Sequence, residues 1–537
     1  MAKPKIPNQK KKYQELNGRL NRYVALVEQI YDTLNLEAAK AVSRTKYSPD
    51  SDKPFKWSDY PQTKKQIDDI QKHFVEDINA TIYRGITEEW KNSNEAQDLI
   101  ANKVLKAYNA QVDKEKYKIL YQTNSDALKA FQNRKDKGFN ISAKLWQQSM
   151  IYKEELEAAI SCAIQKGTSA VTLSKQISKY LLDFPLLQKD YKDRYGSAEH
   201  IQDCEYRSIR LARSEINMAY RTAENERWKQ MDFVVGYEIK LSSSHHSRMP
   251  HGDICDTLAG KYPKDFTWTG WHPNDLCYKV PILKTEEEFW EWDGRSDVST
   301  ESINEVKDVP DEFKKWVLEN HQKIEKAQKR NTLPYFLRDN KSIVQNINTE
   351  NSAKELVNRA SLVGNEVQSL AESIAKKNKG FVTPINYKSI SSITRKVTTE
   401  GITPYDIKDA VRTTIIVPRS QIDQVLNELS ESDSFVRLKR QKPESFMGYS
   451  GNIVNIQTSN GLIAEIQVNT ERMIYAKEKP EDAKRILGEK RWKEIQKQTG
   501  MGGLGHKYYE EWRVLDKADK KAQKIVEKSI EYYSHFQ

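Results

Sequence analysis

Cysteine is scarce, with four in 537 residues. So few thiols exclude a disulfide-built scaffold and fit a reducing compartment. Long hydrophobic runs are missing too. Nothing approaches the roughly 20 apolar residues of a spanning helix, so no integral membrane protein and no membrane partner is expected. The opening MAKPKIPNQKKKYQ is basic but has no apolar stretch, so no secretory leader is read there. There is no internal repeat and no long low-complexity tract. What is present is aromatic and charged: 27 Tyr, 11 Trp, 87 Lys+Arg against 76 Asp+Glu, and a net charge of +11. The aromatics exclude a disordered chain, which lacks the apolar side chains to offset ordering entropy. The positive excess suits phosphate-rich partners, although it is thin over this length. At roughly 100–200 residues per domain, two to four domains are expected.

The first 140 residues read as long polar helices, with Leu16, Leu20, Tyr23, Val24 and Val27 at helical spacing. Trp57 to Gln62 is a turn-rich break containing Pro61, and a second helix runs to about Asn92. Leu156, Ile160 and Ile164, then Leu173, Ile177 and Leu181, mark two more helices. Gly167 is the expected stop between them, and Thr168 or Ser169 the cap. Residues 203–231 are helical with Ile209, Ala212, Ile216, Ala219 and Ala223 on one face, and Val234 to Leu241 reads as a strand. Residues 284–348 are charged and helical in pieces. Beyond 350 the pattern becomes α/β. A helix over 352–378 carries Leu356, Ala360, Val363, Val367 and Leu370. Strands are expected at 411–418, 453–457 and 462–468, the last two joined at Ser459-Asn460-Gly461. The expected organisation is multi-domain: a mainly α N-terminal half with a loop-rich knob, then an α/β mixed-sheet domain. The boundaries read as 1–140, 141–283, 284–348 and 349–537.

The expected knob, 242–281, holds four of the nine His and two of the four Cys. Cys255, His272 and Cys277, with one of His245, His251 or Asp253, can form a tetrahedral zinc site. No CxxC spacing supports it, and hydrogen-bonded histidines beside buried thiols are the plainer alternative. LARSEINMAYRTAENERWKQM, DICDTLAGKY and WHPNDLCYKVPIL resemble the phage Mu F-like head morphogenesis family of minor head proteins. Arg213-Ser214-Glu215, Cys255 and His272-Pro273…Cys277 carry the resemblance over about 140–340. One of the family's two closely spaced Cys is absent, with Tyr278-Lys279 in part of that segment. The resemblance implies a place in the virion, inside the capsid near the portal, with portal and capsid proteins as partners.

Four stretches of the α/β region share one possible chemistry. Lys388, Arg395 and Lys396, beside hydroxyls including Ser392, can clamp a triphosphate as point charge and fork. Asp406 and Asp409 precede Arg412 on a strand, where a carboxylate can hold Mg²⁺. Lys439 and Lys442 precede Gly448-Tyr449-Ser450-Gly451, whose glycines permit close approach of a base to Tyr449. Glu465, Gln467 and Asn469 alternate to one face of a strand. KSISSITRK, KDAVRTTIIV, MGYSGNIVNI, EIQVNT and GHKYYEEWR, in this order, resemble the RelA/SpoT nucleotide pyrophosphokinase domain over about 352–516. Ile453 lies at or near the position of the family's His, and Asn469 replaces its usual Arg. No His-Asp hydrolase domain is read upstream.

The resemblance implies pyrophosphate transfer from ATP to a ribose hydroxyl, assisted by Mg²⁺. Asp409 would hold Mg²⁺, and Glu465 would act as base or metal partner. Lys388, Ser392, Arg395, Lys396 and Arg412 would bind ATP. Tyr449, Lys439, Lys442, Gln467 and His506 would bind the acceptor. GDP, GTP, an adenine nucleotide and tRNA all offer the hydroxyl. The combined expectation is a virion-borne toxin that acts in the bacterial host cytoplasm, with an immunity protein as a possible partner. The alternatives are a purely structural head protein with an inactive C-terminal domain, and a nucleic-acid-binding packaging factor.

Overall fold

The structure is a computed structural model and describes residues 4–46, 53–164, 169–292, 302–441, 446–513, 515 and 519–537. The chain divides into two compact units, residues 1–344 and 345–537.

The first unit is built on long helices, Gln9–Ser43, Pro61–Ala107, Ile141–Ala163 and Cys204–Gln230. Leu16, Leu20, Tyr23 and Val27 are buried along the first, and Ala212, Ile216, Ala219 and Ala223 along the last. All belong to one core that runs from Tyr13 to Ala223 in sequence. Pro61 is the first residue of its helix, where the missing N–H costs nothing, and that helix runs beyond the expected Asn92. Ser169 caps the Ala170–Leu182 helix by accepting from Thr172 N; the expected stop Gly167 and the alternative cap Thr168 lie outside the described residues. A three-stranded antiparallel sheet follows, with β1 (Val234–Lys240) between β2 (Gly260–Tyr262) and β3 (Tyr278–Leu283). The 242–277 segment contains two short helices, His245–Arg248 and Ile254–Leu258, and turns.

The second unit holds a mixed sheet of β4 (Phe381–Val382), β5 (Asn386–Tyr387), β6 (Val411–Ile416), β7 (Phe435–Arg440), β8 (Asn452–Gln457) and β9 (Ile463–Asn469). The order is β4-β6-β9-β8-β7, with β5 also on β6. β6 and β9 run parallel; every other pairing is antiparallel. Val411 and Ile415, Ala464, Ile466 and Val468, and Val454 and Ile456 are buried in one core. Leu356, Ala360, Val363 and Val367 of the Lys341–Lys377 helix and Val425, Leu426 and Leu429 of the Ile422–Ser430 helix belong to the same core. One sheet face is thus apolar, which leaves the alternate residues of each strand for the other face.

Candidate functional site

That second face carries a row of polar side chains across four strands. Arg412 on β6 is in register with Glu465 on β9. Glu465 is in register with Asn455 on β8, and Asn455 with Arg437 on β7. Register partners share a face, so a guanidinium, a carboxylate, an amide and a second guanidinium stand side by side. Thr414, Gln467, Ile453 and Lys439 form the next row along. Gln467 Nε2 donates to Glu465 Oε1 at 2.7 Å, and Arg437 Nη2 donates to Asn455 Oδ1 at 2.9 Å. Lys477, at the end of the helix after β9, donates to Gln467 Oε1 at 3.0 Å and pairs with Glu478 at 3.1 Å. Burial pushes its ammonium pKa down, but Tyr449 and Glu478 outweigh burial and hold it above the ordinary lysine value. Arg412 is exposed and has no ion pair among the described residues.

Beside β6 lies a second group. Asp409 accepts from Lys388 Nζ at 2.5 Å and from Lys396 Nζ at 3.2 Å. Burial pushes its carboxyl up, but the two ammonium groups outweigh burial and hold it below the usual carboxylate range. The backbone fixes the geometry: Lys388 N donates to Ala410 O, and Ser389 caps the Ile390–Glu400 helix that carries Lys396 by accepting from Ser392 N. Asp406, the other candidate carboxylate, is used differently. It closes a turn with the amide and hydroxyl of Thr403, which hold its carboxyl low.

Tyr449 is half-buried. Its hydroxyl donates to Asn469 Oδ1 at 3.1 Å and accepts from Asn469 Nδ2 at 2.9 Å. Its ring lies 5.7 Å from that of Tyr533, and Lys477 Nζ lies 5.7 Å from its centre. A Cβ on Gly451 would stand 2.1 Å from the Tyr449 hydroxyl, so the room made by that glycine is taken by the protein's own ring.

Some expected residues stand apart from these groups. Arg395 is exposed, with no ion pair among the described residues. His506 sits 3.7 Å from Glu510 on its own helix, whereas Lys439, exposed on β7, keeps its place in the second row of the sheet face. Lys442 lies outside the described residues. Asn455, Arg437 and Lys477 were not anticipated. Only Asn455 had a sequence signal, as a polar residue inside an apolar strand.

In the first unit, Cys255 and Cys277 are buried and lie close to His245, while Asp253 and His272 also gather on Cys255, with Asp253 3.6 Å from His245 Nε2. His251 belongs to neither group. Arg213 and Glu215 serve the helices rather than this loop: Arg213 donates to Asn17 and Asn21, and Glu215 accepts from Arg134 and Lys144. A cleft of about 740 Å³ in this unit is lined by Arg19, Arg22, Tyr23, Arg84 and Glu88 and contains none of the expected site residues. No helix among the described residues is long and apolar enough to cross a membrane.

No family model matches the chain. A stretch of 170 residues, 31% of the chain, is 38% identical to the (p)ppApp synthetase toxin Tas1 of Pseudomonas aeruginosa (strain UCBPP-PA14). It spans 38% of that relative, so the chain covers well under half of the curated protein's length. Among solved structures, the Type VI effector Tas1 in complex with its immunity protein is 35% identical, with a TM-score of 0.32, over 34% of this chain and 95% of that one. The small alarmone synthetase 1 from Bacillus subtilis is 16% identical, with a TM-score of 0.22, over 34% of this chain and 92% of that one. The sequence identity supports a RelA/SpoT-like synthetase segment over about a third of the chain.

Proposed function

We propose that the second unit transfers pyrophosphate from ATP to the ribose hydroxyl of an adenine nucleotide. The row Arg412, Glu465, Asn455, Arg437 carries this reading, because it sets an available carboxylate between two cations on one sheet face. The similarity to a (p)ppApp synthetase toxin supports both the chemistry and the adenine acceptor. The acceptor oxygen attacks the β-phosphorus of ATP, the bond to the α–β bridging oxygen breaks, and AMP leaves. Glu465 takes the hydroxyl proton. Arg412 and Lys477 offset charge on the phosphates, because phosphoryl transfer is catalysed chiefly by positioning and electrostatic stabilisation. Lys388 and Lys396 bind the ATP phosphates, held in place by Asp409.

Mg²⁺ would neutralise the phosphate oxygens when bound. Glu465 fits that ion better than Asp409. One Glu465 oxygen accepts from Gln467, whereas both Asp409 oxygens already accept from lysines. Tyr449, hydrogen-bonded to Asn469, offers one part of its ring to the acceptor base. For the first unit we propose the virion-docking role implied by its head-morphogenesis motifs, followed by action of the second unit in a bacterial cytoplasm and neutralisation by an immunity protein. That role rests on the sequence motifs of about 140–340.

The test uses the purified chain with γ-labelled ATP and Mg²⁺, offering AMP, ADP, GDP, GTP and bulk tRNA separately. Label is expected on an adenine nucleotide. Glu465→Gln is expected to lower the rate by about 10²–10⁴-fold, the usual contribution of a positioned base. Transfer that survives in that variant removes the assigned role. Absence of transfer to every acceptor favours a structural head protein.

A further inference from the structure

We propose that the 242–277 segment of the first unit is a structural zinc site. Its ligands are the thiolates of Cys255 and Cys277 and the imidazoles of His245 and His272. Two overlapping triads converge there. The donor atoms of His245, Cys255 and Cys277 lie within 4.8 Å of one another, and so do those of Asp253, Cys255 and His272. Both triads share Cys255. Two sulfurs and two nitrogens are the donor set that a tetrahedral Zn²⁺ favours.

The surroundings prepare these donors. His272 Nδ1 donates to Pro273 O at 2.7 Å, so the neutral ring keeps its lone pair on Nε2, which also stands 3.2 Å from Asp253 Oδ2. Nε2 faces Cys255 Sγ at 3.2 Å. On the other imidazole, His245 Nε2 is 2.8 Å from Asp256 Oδ2, the carboxylate–histidine contact that orients metal ligands and leaves Nδ1 for the ion. Asp253 caps the Ile254–Leu258 helix through Cys255 N at 2.7 Å and so fixes that thiol. Asp275 Oδ1 accepts from Cys277 N at 2.7 Å and fixes the other.

The supporting scaffold is a helix face. Asn217, Arg221 and Asn225, at i, i+4 and i+8 of the Cys204–Gln230 helix, all reach into the loop. Asn217 donates to Asp275 O at 3.0 Å, and Asn225 to Trp268 O at 3.1 Å. The buried Arg221 guanidinium donates to Thr269 O, Asp275 O and Cys277 O at 2.8–3.0 Å. Gly270 has φ +127°, and a Cβ there would stand 2.6 Å from Arg221 Nη1, so both backbone conformation and space call for glycine. Donors held this firmly lose little entropy on binding an ion. The bound cation would tie the short helix to the start of β3.

Zinc is measured by elemental analysis on the full chain, purified under reducing conditions without chelator. One zinc per chain is expected, lost in Cys277→Ser and in His272→Ala. Cobalt substitution of the wild-type chain should give the near-ultraviolet thiolate-to-cobalt charge-transfer band, a readout that does not depend on a variant folding. Asp256→Asn is expected to keep the site and to weaken zinc affinity about 10–100-fold, the usual effect of removing a partner of a metal-bound histidine. Zinc-free wild-type protein, a Cys255–Cys277 disulfide, or zinc retained by both ligand variants would overturn the site.

Discussion

Asp409 sits just before β6 and is half-buried, with each of its two oxygens accepting from a lysine. Its place before a strand suggested a magnesium ligand. The structure gives it two lysines, Lys388 and Lys396, whose ammonium groups it holds in place. Because its pKa is lowered on folding, the pair contributes stability above the ordinary aspartate value of about 3.9. That contribution is lost as pH falls through the lower, folded value. Asp409→Asn is expected to destabilise the second unit at neutral pH by roughly 1–3 kcal/mol, since two cations lose their shared acceptor. The gap to wild type should close in strong acid, where the wild-type carboxyl is itself neutral. Denaturant unfolding at several pH values checks this; a gap independent of pH would show that the ion pair is not the cause.

At the scale of the element, alternation along β9 was readable directly. Glu465, Gln467 and Asn469 share a face because a strand has a period of two. Their neighbours were not readable. Arg412, Asn455 and Arg437 come from three other strands, and only register sets them beside Glu465. The parallel β6–β9 pairing has no local signature at all, because its strands are distant in sequence. Gly380 marks another tertiary constraint. A Cβ there would stand 2.5 Å from Ile416 O and 2.4 Å from a Val417 methyl, next to the β4–β6 pairing. Gly380→Ala gains at most about 1 kcal/mol in backbone entropy. Overpacking of this kind costs about 1–3 kcal/mol, so the net effect should be destabilising. The midpoint of urea unfolding measures it, and an unchanged or raised midpoint would mean that the strand end yields freely.

At the scale of the molecule, a core among the described residues of the first unit collects side chains from Tyr13 to Ala223, and cores in the second collect side chains from Ala353 to Phe536. Each set is confined to its own unit. Two separate unfolding transitions are therefore expected by calorimetry. Residues 341–537, which retain the complete Lys341–Lys377 helix, are expected to keep the transfer activity when expressed alone. A single cooperative transition together with an inactive fragment would show that the second unit depends on the first.

The sequence by itself determined the long helices, strands β1, β6, β8 and β9 and the alternating polar side chains on β9, because these follow from local periodicity and residue type; the short strands β2, β4 and β5, and also β3 and β7, were not read. Leu16 to Val27, Leu173 to Leu181 and Leu356 to Val367 all bury the faces that their spacing implied. It also marked Cys255, His272 and Cys277 as a possible ligand set by composition alone. The tertiary structure decided the rest. It spent Tyr449 partly on Asn469, turned Asp409 toward lysines, left Arg395 exposed and brought Lys477 to Gln467. Those outcomes depend on strand register and on which helix lies against which strand. Both are set by long-range burial of apolar faces, which no local stretch of sequence encodes.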